Sequence, residues 1–143
     1  MKNLTLENIA NVCNGIYRGD EKSRWTEVTA ITSDSRQAAP GCLFVPIVGE
    51  RVDGHSFIPN VMEAGALATL SQKELPEARF PYIQVASSLQ AVKDIAKFYL
   101  EQLKIPVVGI TGSVGKTSTK EVIASVLKEK YHILKTQGNF NNE

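Results

Sequence analysis

Thr111-Gly112-Ser113-Val114-Gly115-Lys116-Thr117 lies between a β-branched apolar run at 107–110 and an amphipathic pattern at 116–128. Glycines at such a junction let successive backbone N–H groups curl around an anion, and the start of the helix adds its partial positive charge. The segment therefore predicts a loop that binds the phosphates of a nucleoside triphosphate, most directly ATP. We call residues 111–118 the phosphate loop.

The residue types of the phosphate loop suit this chemistry. Lys116 is predicted to reach the β- and γ-phosphates as the catalytic residue, and the Thr117 hydroxyl to hold Mg²⁺, which prefers oxygen ligands. The strict motif has glycine where this chain has Ile110, so the loop is a variant. The alternative is a glycine-rich turn whose Lys and Thr are incidental. The predicted ATP-binding residues are Gly112, Ser113, Val114, Gly115, Lys116, Thr117 and Ser118.

Composition is that of an ordinary globular protein. Of the 143 residues, 43% are apolar and 22% are charged, with a net charge of +1. This balance gives no electrostatic argument for binding nucleic acid or a membrane surface, and no run approaches the roughly 18 apolar residues of a membrane span. Cys13 and Cys42 lack metal-ligand spacing and lie among apolar neighbours, so we expect buried thiols in a reducing, cytoplasmic compartment.

Helix and strand patterns alternate along the chain, which is typical of α/β architecture. One strand–loop–helix–strand unit near the end is too little for a nucleotide-binding domain and cannot cover both faces of a parallel sheet. We therefore expect a small domain at 1–85 and the truncated beginning of a second at 86–143. Strands are predicted at 28–32, 42–47, 67–70, 82–85, 107–110 and 133–134, and helices near 6–13, 56–63, 88–103 and 116–128.

The variant phosphate loop resembles the ATP-binding loop of the Mur ligases, which add amino acids to the UDP-linked muramyl precursor of the bacterial cell wall. The N-terminal part is similar to the UDP-binding domain of the same family, with motifs in the same order. Pro46 and Ser118 depart from the family, in which Ala and Thr are more usual. The motifs are Ser33-Asp34-Ser35-Arg36, Pro40-Gly41-x-Leu43-Phe44-Val45, Gly49-Glu50, Asp53-Gly54-His55, Phe57-Ile58 and Glu63-Ala64-Gly65-Ala66.

The resemblance implies an α/β fold with a small N-terminal UDP-binding domain, followed by the start of a P-loop ATPase domain. It also implies which residues bind. A turn held locally by Asp34 is the alternative for Ser35 and Arg36, and capping of the next helix is the alternative for His55. The implied precursor-binding residues are Ser35, Arg36, Asp53, Gly54 and His55, and Asn139 and Asn142 would face ATP and the acceptor.

Two further segments, Thr119-Lys120-Glu121 and Gly138-Asn139-x-Asn141-Asn142, resemble the branch of the family that adds a dipeptide. This implies a monomeric cytoplasmic ligase of peptidoglycan synthesis that uses ATP and Mg²⁺. It would join D-Ala-D-Ala to UDP-MurNAc-tripeptide through an acyl phosphate, and residues 1–143 alone are expected not to turn over. The alternatives are a tripeptide-forming ligase of the family, a folylpolyglutamate synthase or, for this chain by itself, a module that binds nucleotide or UDP-sugar without catalysis.

Overall fold

The computed structural model describes residues 1–136, which divide into two compact units after Lys104. Two short 3₁₀ turns, Ser35–Gln37 and Gly54–Phe57, accompany the regular elements of the first unit. In the second unit the described residues form helix Lys116–Leu127, here α5. The elements of the first unit are α1 (Leu6–Val12), β1 (Ile16–Arg18), α2 (Glu21–Arg24), β2 (Ile31–Thr32), β3 (Leu43–Phe44), α3 (Ile58–Glu63), β4 (Ala68–Ser71), β5 (Tyr82–Gln84) and α4 (Ser88–Leu103).

The five strands form one sheet in the order β1-β5-β4-β3-β2. Strands β2 to β5 are parallel, whereas β1 is antiparallel to β5, with Ile16 opposite Gln84. The four parallel strands therefore end at the same side of the sheet, which we call the carboxyl edge. Open parallel sheets bind their ligands at this edge. The segments that follow β2, β3 and β4 are therefore the candidate ligand-binding segments of the first unit.

Both faces of the sheet are covered, as the prediction of an α/β fold requires. Leu43 packs into a core cluster with residues of α1 and α4, and Phe44 packs into a second cluster with residues of α3. Successive side chains of a strand point to opposite faces, so β3 is buried on both sides. Cys42 is fully buried in the second cluster. Cys13 is half-buried, and burial raises the pKa of its thiol to about 12.

Helix α4 packs with the first unit, although the sequence placed it in the second. Ser87 caps it by accepting a hydrogen bond from the Gln90 N–H at 3.3 Å, and Ala91 and Ile95 are buried in the same core cluster as α1. A helix that buries its apolar face on a core belongs to that core. The division consequently follows Lys104 rather than residue 85.

The strands predicted at 107–110 and 133–134 do not form in the described part of the second unit. A strand exists only when a neighbouring strand pairs with its backbone hydrogen-bonding groups. Within residues 105–136 the regular element is the helix α5, so these segments have no partner strand there. Val107 and Val108 are exposed for the same reason. This prediction was wrong, and the roles predicted for Asn139 and Asn142 lie outside the described residues.

Candidate functional site

The phosphate loop meets α5 at a glycine in a left-handed conformation. Gly115 has φ +80° and is the N-cap of α5, and no side chain within residues 1–136 caps the helix. A residue with a Cβ is strained at this φ, which explains the glycine. The N–H groups of the first turn of α5 are thus left for an external acceptor, and an anion is the ligand that such a helix start favours.

Lys116, the first residue of α5, folds back over the loop. Its Nζ donates a hydrogen bond to the carbonyl oxygen of Gly112 at 2.5 Å. Gly112 itself has φ +150°, and Thr117 and Ser118 are exposed residues of the first turn of α5. The ATP-binding residues predicted from the sequence are therefore adjacent in one open loop.

The segment that follows α5 is tied back to the helix by two lysines. Lys120 Nζ donates to the carbonyl oxygen of Thr136 at 2.7 Å, and Lys135 pairs with Glu121. The ion pair with Lys135 holds the pKa of Glu121 below its usual value. These contacts hold residues 135–136 beside the helix that carries the phosphate loop.

After β2, the chain makes a turn in which Asp34 accepts three hydrogen bonds from Arg36. The Arg36 N–H, Nε and Nη2 lie 3.0, 2.9 and 2.8 Å from its carboxylate oxygens. These bonds hold the pKa of the Asp34 carboxyl at about 2. The local turn that was the alternative for Ser35 and Arg36 is thus present. The Arg36 side chain is nonetheless 87% exposed, and contact with the precursor stays a prediction.

The lowered pKa of Asp34 predicts an acid dependence of stability. A carboxyl whose pKa is depressed by folding contributes stability that is complete above its ordinary value of 3.8 and is lost as the pH falls through about 2. We expect Asp34→Asn to flatten the fall in unfolding free energy over this interval, measured by urea unfolding at a series of pH values. Glu77→Gln, in the exposed loop before β5, is the control, and identical curves for wild type and Asp34→Asn would contradict the assignment.

A second polar cluster lies where the loop after β3 meets the segment after β4. The Asp53 carboxylate accepts from the backbone N–H of His55 at 2.9 Å, pairs with His55 Nδ1 at 2.6 Å and accepts from Lys73 Nζ at 2.7 Å. The Lys73 ammonium, followed by the His55 hydrogen bonds, holds the pKa of Asp53 far below its usual value. The loop after β3 is thereby fastened to β4.

The hydrogen bonds of His55 fix its tautomer. The backbone N–H of Gln72 donates to Nε2 at 3.0 Å, so the ring proton is on Nδ1 and points to Asp53. The ring is 7% exposed, and both nitrogens have partners within the protein. A polar contact between His55 and the precursor would have to displace one of these partners, so the geometry favours a positioning role.

Gly54 is buried between these polar residues. Its N–H donates to the Ile47 carbonyl oxygen at 3.0 Å. A Cβ at this position would lie 2.7 Å from that oxygen and 2.8 Å from the Ile47 nitrogen. Glycine is therefore required here by the close approach of two backbone segments.

The sequence motifs assigned no functional role to three residues of the carboxyl edge, Gln72, Lys73 and Ser88. Gln72 Oε1 accepts from the Ser88 N–H at 3.0 Å, which joins the end of β4 to the start of α4. Ser88 Oγ is buried and has no hydrogen-bond partner among the described residues. The sequence signal that could have identified Gln72 and Lys73 is their position as a polar pair directly after the buried strand β4.

Residues 1–136 contain neither a membrane-spanning helix nor a metal-binding cluster of side chains. No helix there is both long and apolar enough to cross a bilayer. No cluster of three or more His, Cys, Asp or Glu side chains in this part of the chain could hold a metal ion.

Family models match both parts of the chain. The model described as "Mur ligase family, catalytic domain" matches residues 27–100, and the "Mur ligase middle domain" model matches residues 110–143. The curated relatives include UDP-N-acetylmuramoyl-tripeptide–D-alanyl-D-alanine ligases from Bacillus subtilis and Escherichia coli. They are 39% and 36% identical over 96% and 100% of this chain, which spans 30% of the length of each.

Solved structures agree with this match. A crystal structure of MurF from Acinetobacter baumannii superposes with a TM-score of 0.86 at 31% identity, covering 96% of this chain and 30% of that one. MurF ligase from Thermotoga maritima, solved in complex with ADP, gives a TM-score of 0.72 at 35% identity over 78% of this chain and 26% of that one. On the sequence motifs, the fold and these matches together, the chain belongs to the Mur ligase family.

Proposed function

We propose that this chain takes part in the ligation named for its relatives, the ATP-dependent joining of D-alanyl-D-alanine to UDP-N-acetylmuramoyl-tripeptide. The relatives are about three times as long as this chain, which covers 30% of them, so the complete reaction is proposed only for a protein that also contains the remainder. The first unit would bind the UDP-linked precursor at its carboxyl edge, and the second would bind ATP. We also propose that the protein is a monomer and acts in the cytoplasm, where ATP and nucleotide-linked precursors are found.

The observation that carries the proposal is the left-handed Gly115 at the uncapped start of α5, followed at once by Lys116. Backbone N–H groups fixed in this way bind phosphate without reorganisation. The ADP complex of the Thermotoga maritima relative supports the assignment of this loop to ATP.

The residues of the loop fit the proposed role. Lys116 Nζ now donates to the neutral Gly112 carbonyl, and a phosphate oxygen would replace this acceptor with a charged one and a stronger hydrogen bond. The Thr117 hydroxyl would hold Mg²⁺. ATP, when bound, supplies the phosphoryl group that activates the precursor's carboxylate, and the chain's part is to position the triphosphate and neutralise its charge.

Binding of the precursor tests the first half of the proposal. We expect UDP-N-acetylmuramoyl-tripeptide, titrated into the ¹⁵N-labelled chain, to shift the amide signals of residues 33–36, 53–55 and 72–73 at the carboxyl edge. The signals of α2 serve as the internal control, because β1 is antiparallel and α2 follows it at the opposite edge. Saturating precursor that leaves the carboxyl-edge signals unchanged would contradict the proposal.

A second candidate reaction follows from another relative. A UDP-N-acetylmuramoyl-L-alanyl-D-glutamate–2,6-diaminopimelate ligase from Listeria monocytogenes is 37% identical over 76% of this chain, which covers 22% of that protein. A ligase of that kind takes the precursor one residue shorter. Tighter binding of the dipeptide precursor than of the tripeptide precursor would favour this candidate.

A further inference from the structure

Two acidic residues of the carboxyl edge, Asp34 and Asp53, each carry a cation on their outer side. In the turn after β2, the Arg36 side chain is 87% exposed and Asp34 only 29%. In the cluster after β4, Lys73 is 64% exposed and Asp53 only 37%. The carboxylates of Asp34 and Asp53 thus serve as inner anchors, and the more exposed group of each pair is the cation.

The backbone of Lys73 is held in place from both sides. The hydroxyl of Ser71, a fully buried residue at the end of β4, accepts from the Lys73 N–H at 3.1 Å and donates to the Lys73 carbonyl oxygen at 2.6 Å. The adjacent Gln72 is fixed by His55 and Ser88. Lys73 therefore leaves the sheet at a defined point, which lowers the entropy lost when its side chain binds.

The ammonium of Lys73 has capacity for a further acceptor. It carries three N–H donors, of which the hydrogen bonds of the described residues use one, to Asp53. Without this lysine, the Asp53 carboxylate would place an uncompensated negative charge at the carboxyl edge and repel an anion. With it, the same position attracts one.

We propose that Lys73, oriented by Asp53, binds the diphosphate of the nucleotide-linked substrate at the carboxyl edge. The inference rests on the proposed function, because it takes the precursor as the ligand of this edge. It adds a residue that the sequence motifs do not include, and it assigns Asp53 and His55 the role of holding that residue.

Calorimetric titration of the 143-residue chain with UDP-N-acetylmuramoyl-tripeptide tests the inference. We expect Lys73→Ala to weaken binding by about tenfold, the typical effect of losing a hydrogen bond between charged groups, and to make the affinity less dependent on salt concentration. Lys73→Arg should restore most of the affinity. Lys22→Ala, on α2 at the opposite edge, removes the same charge and should bind as the wild type does.

Each other outcome has a defined meaning. Equal affinities of Lys73→Ala and Lys22→Ala would overturn the inference and leave the proposed function intact. A weaker Lys73→Ala with unchanged salt dependence and a lowered melting temperature would also overturn it, since Lys73 would then only stabilise the loop. A wild-type chain that fails to bind the precursor at any concentration would reject the proposed function and the inference with it.

Discussion

Replacing Lys116 by alanine is expected to weaken the binding of ATP–Mg²⁺ to this chain by at least tenfold. The substitution removes the ammonium whose Nζ donates to the Gly112 carbonyl oxygen of the phosphate loop at 2.5 Å. A hydrogen bond to a charged phosphate contributes about 1.5–3 kcal/mol, and the loop's backbone N–H groups would supply what binding remains. Amide shifts of residues 112–118 during an ATP–Mg²⁺ titration measure the effect even when binding is weak.

Lys128→Ala is the matched control for this experiment. Lys128 is the C-cap of the same helix, so the variant loses the same charge about twelve residues, or some 18 Å, further along α5. It should titrate as the wild type does. Equal titrations of Lys116→Ala and wild type would show that the loop is a glycine-rich turn in which the lysine is incidental, which was the alternative to the phosphate loop.

The parts of the structure that the sequence predicted well depend on local chemistry. Helix α5 begins at Lys116 as expected, and α4 spans the expected residues 88–103, because helix starts are set by caps and by the next few residues. The fully buried strand at Leu43–Phe44 was also predicted. Its apolar run is bounded by turn residues and cannot remain in solvent.

The inward face of α4 was predicted only in part. The apolar residues at 89, 92, 96, 99, 100 and 103 lie at helical spacing, which predicts that Leu89 and Leu100 point inward. Both are exposed, whereas Ala91 and Ile95 are buried. The buried residues Ser88, Ala91 and Ile95 follow the i, i+3, i+7 spacing of one helix face, and a pattern that ranks residues by hydrophobic size overlooks the serine and the alanine of that face. In α5 the apolar residues at 122, 123, 126 and 127 predict an inward face in the same way, yet Val122 and Val126 are exposed.

What the sequence could not supply is contact between distant segments. The Gln72–His55 and Lys73–Asp53 hydrogen bonds join residues 17 and 20 positions apart, and they arise only once β3 and β4 pair in register. The motif residues Asp53 and His55 were visible because their spacing is short. Their partners Gln72 and Lys73 were not, so the sequence did not show that the loop carrying Asp53 and His55 is fastened to the segment after β4.

Gly54→Ala is the substitution expected to destabilise the first unit most among those considered. Its Cβ would lie 2.7 Å from the Ile47 oxygen, 2.8 Å from the Ile47 nitrogen and 3.1 Å from Pro46 Cα, and all three are backbone atoms that cannot rotate away. Overpacking of this kind typically costs about 1–3 kcal/mol, which for a domain of about 100 residues lowers the melting temperature by at least roughly 4 °C. Thermal unfolding followed by circular dichroism measures it.

The control for Gly54 lies in the same loop. A Cβ on Gly49 would have the Val52 carbonyl oxygen as its nearest neighbour, at 3.4 Å, which is an ordinary contact distance, so Gly49→Ala should unfold within about 0.5 kcal/mol of the wild type. Comparing Gly54→Ala with Gly49→Ala distinguishes a glycine required for packing from one required for ligand binding. The sequence motifs cannot make this distinction, because both glycines belong to motifs shared with the family. If Gly54→Ala proved as stable as Gly49→Ala but lost precursor binding, Gly54 would act at the ligand and not in the packing of the loop. If it unfolded early, the loop that carries Asp53 and His55 would owe its place at the carboxyl edge to the missing side chain of Gly54.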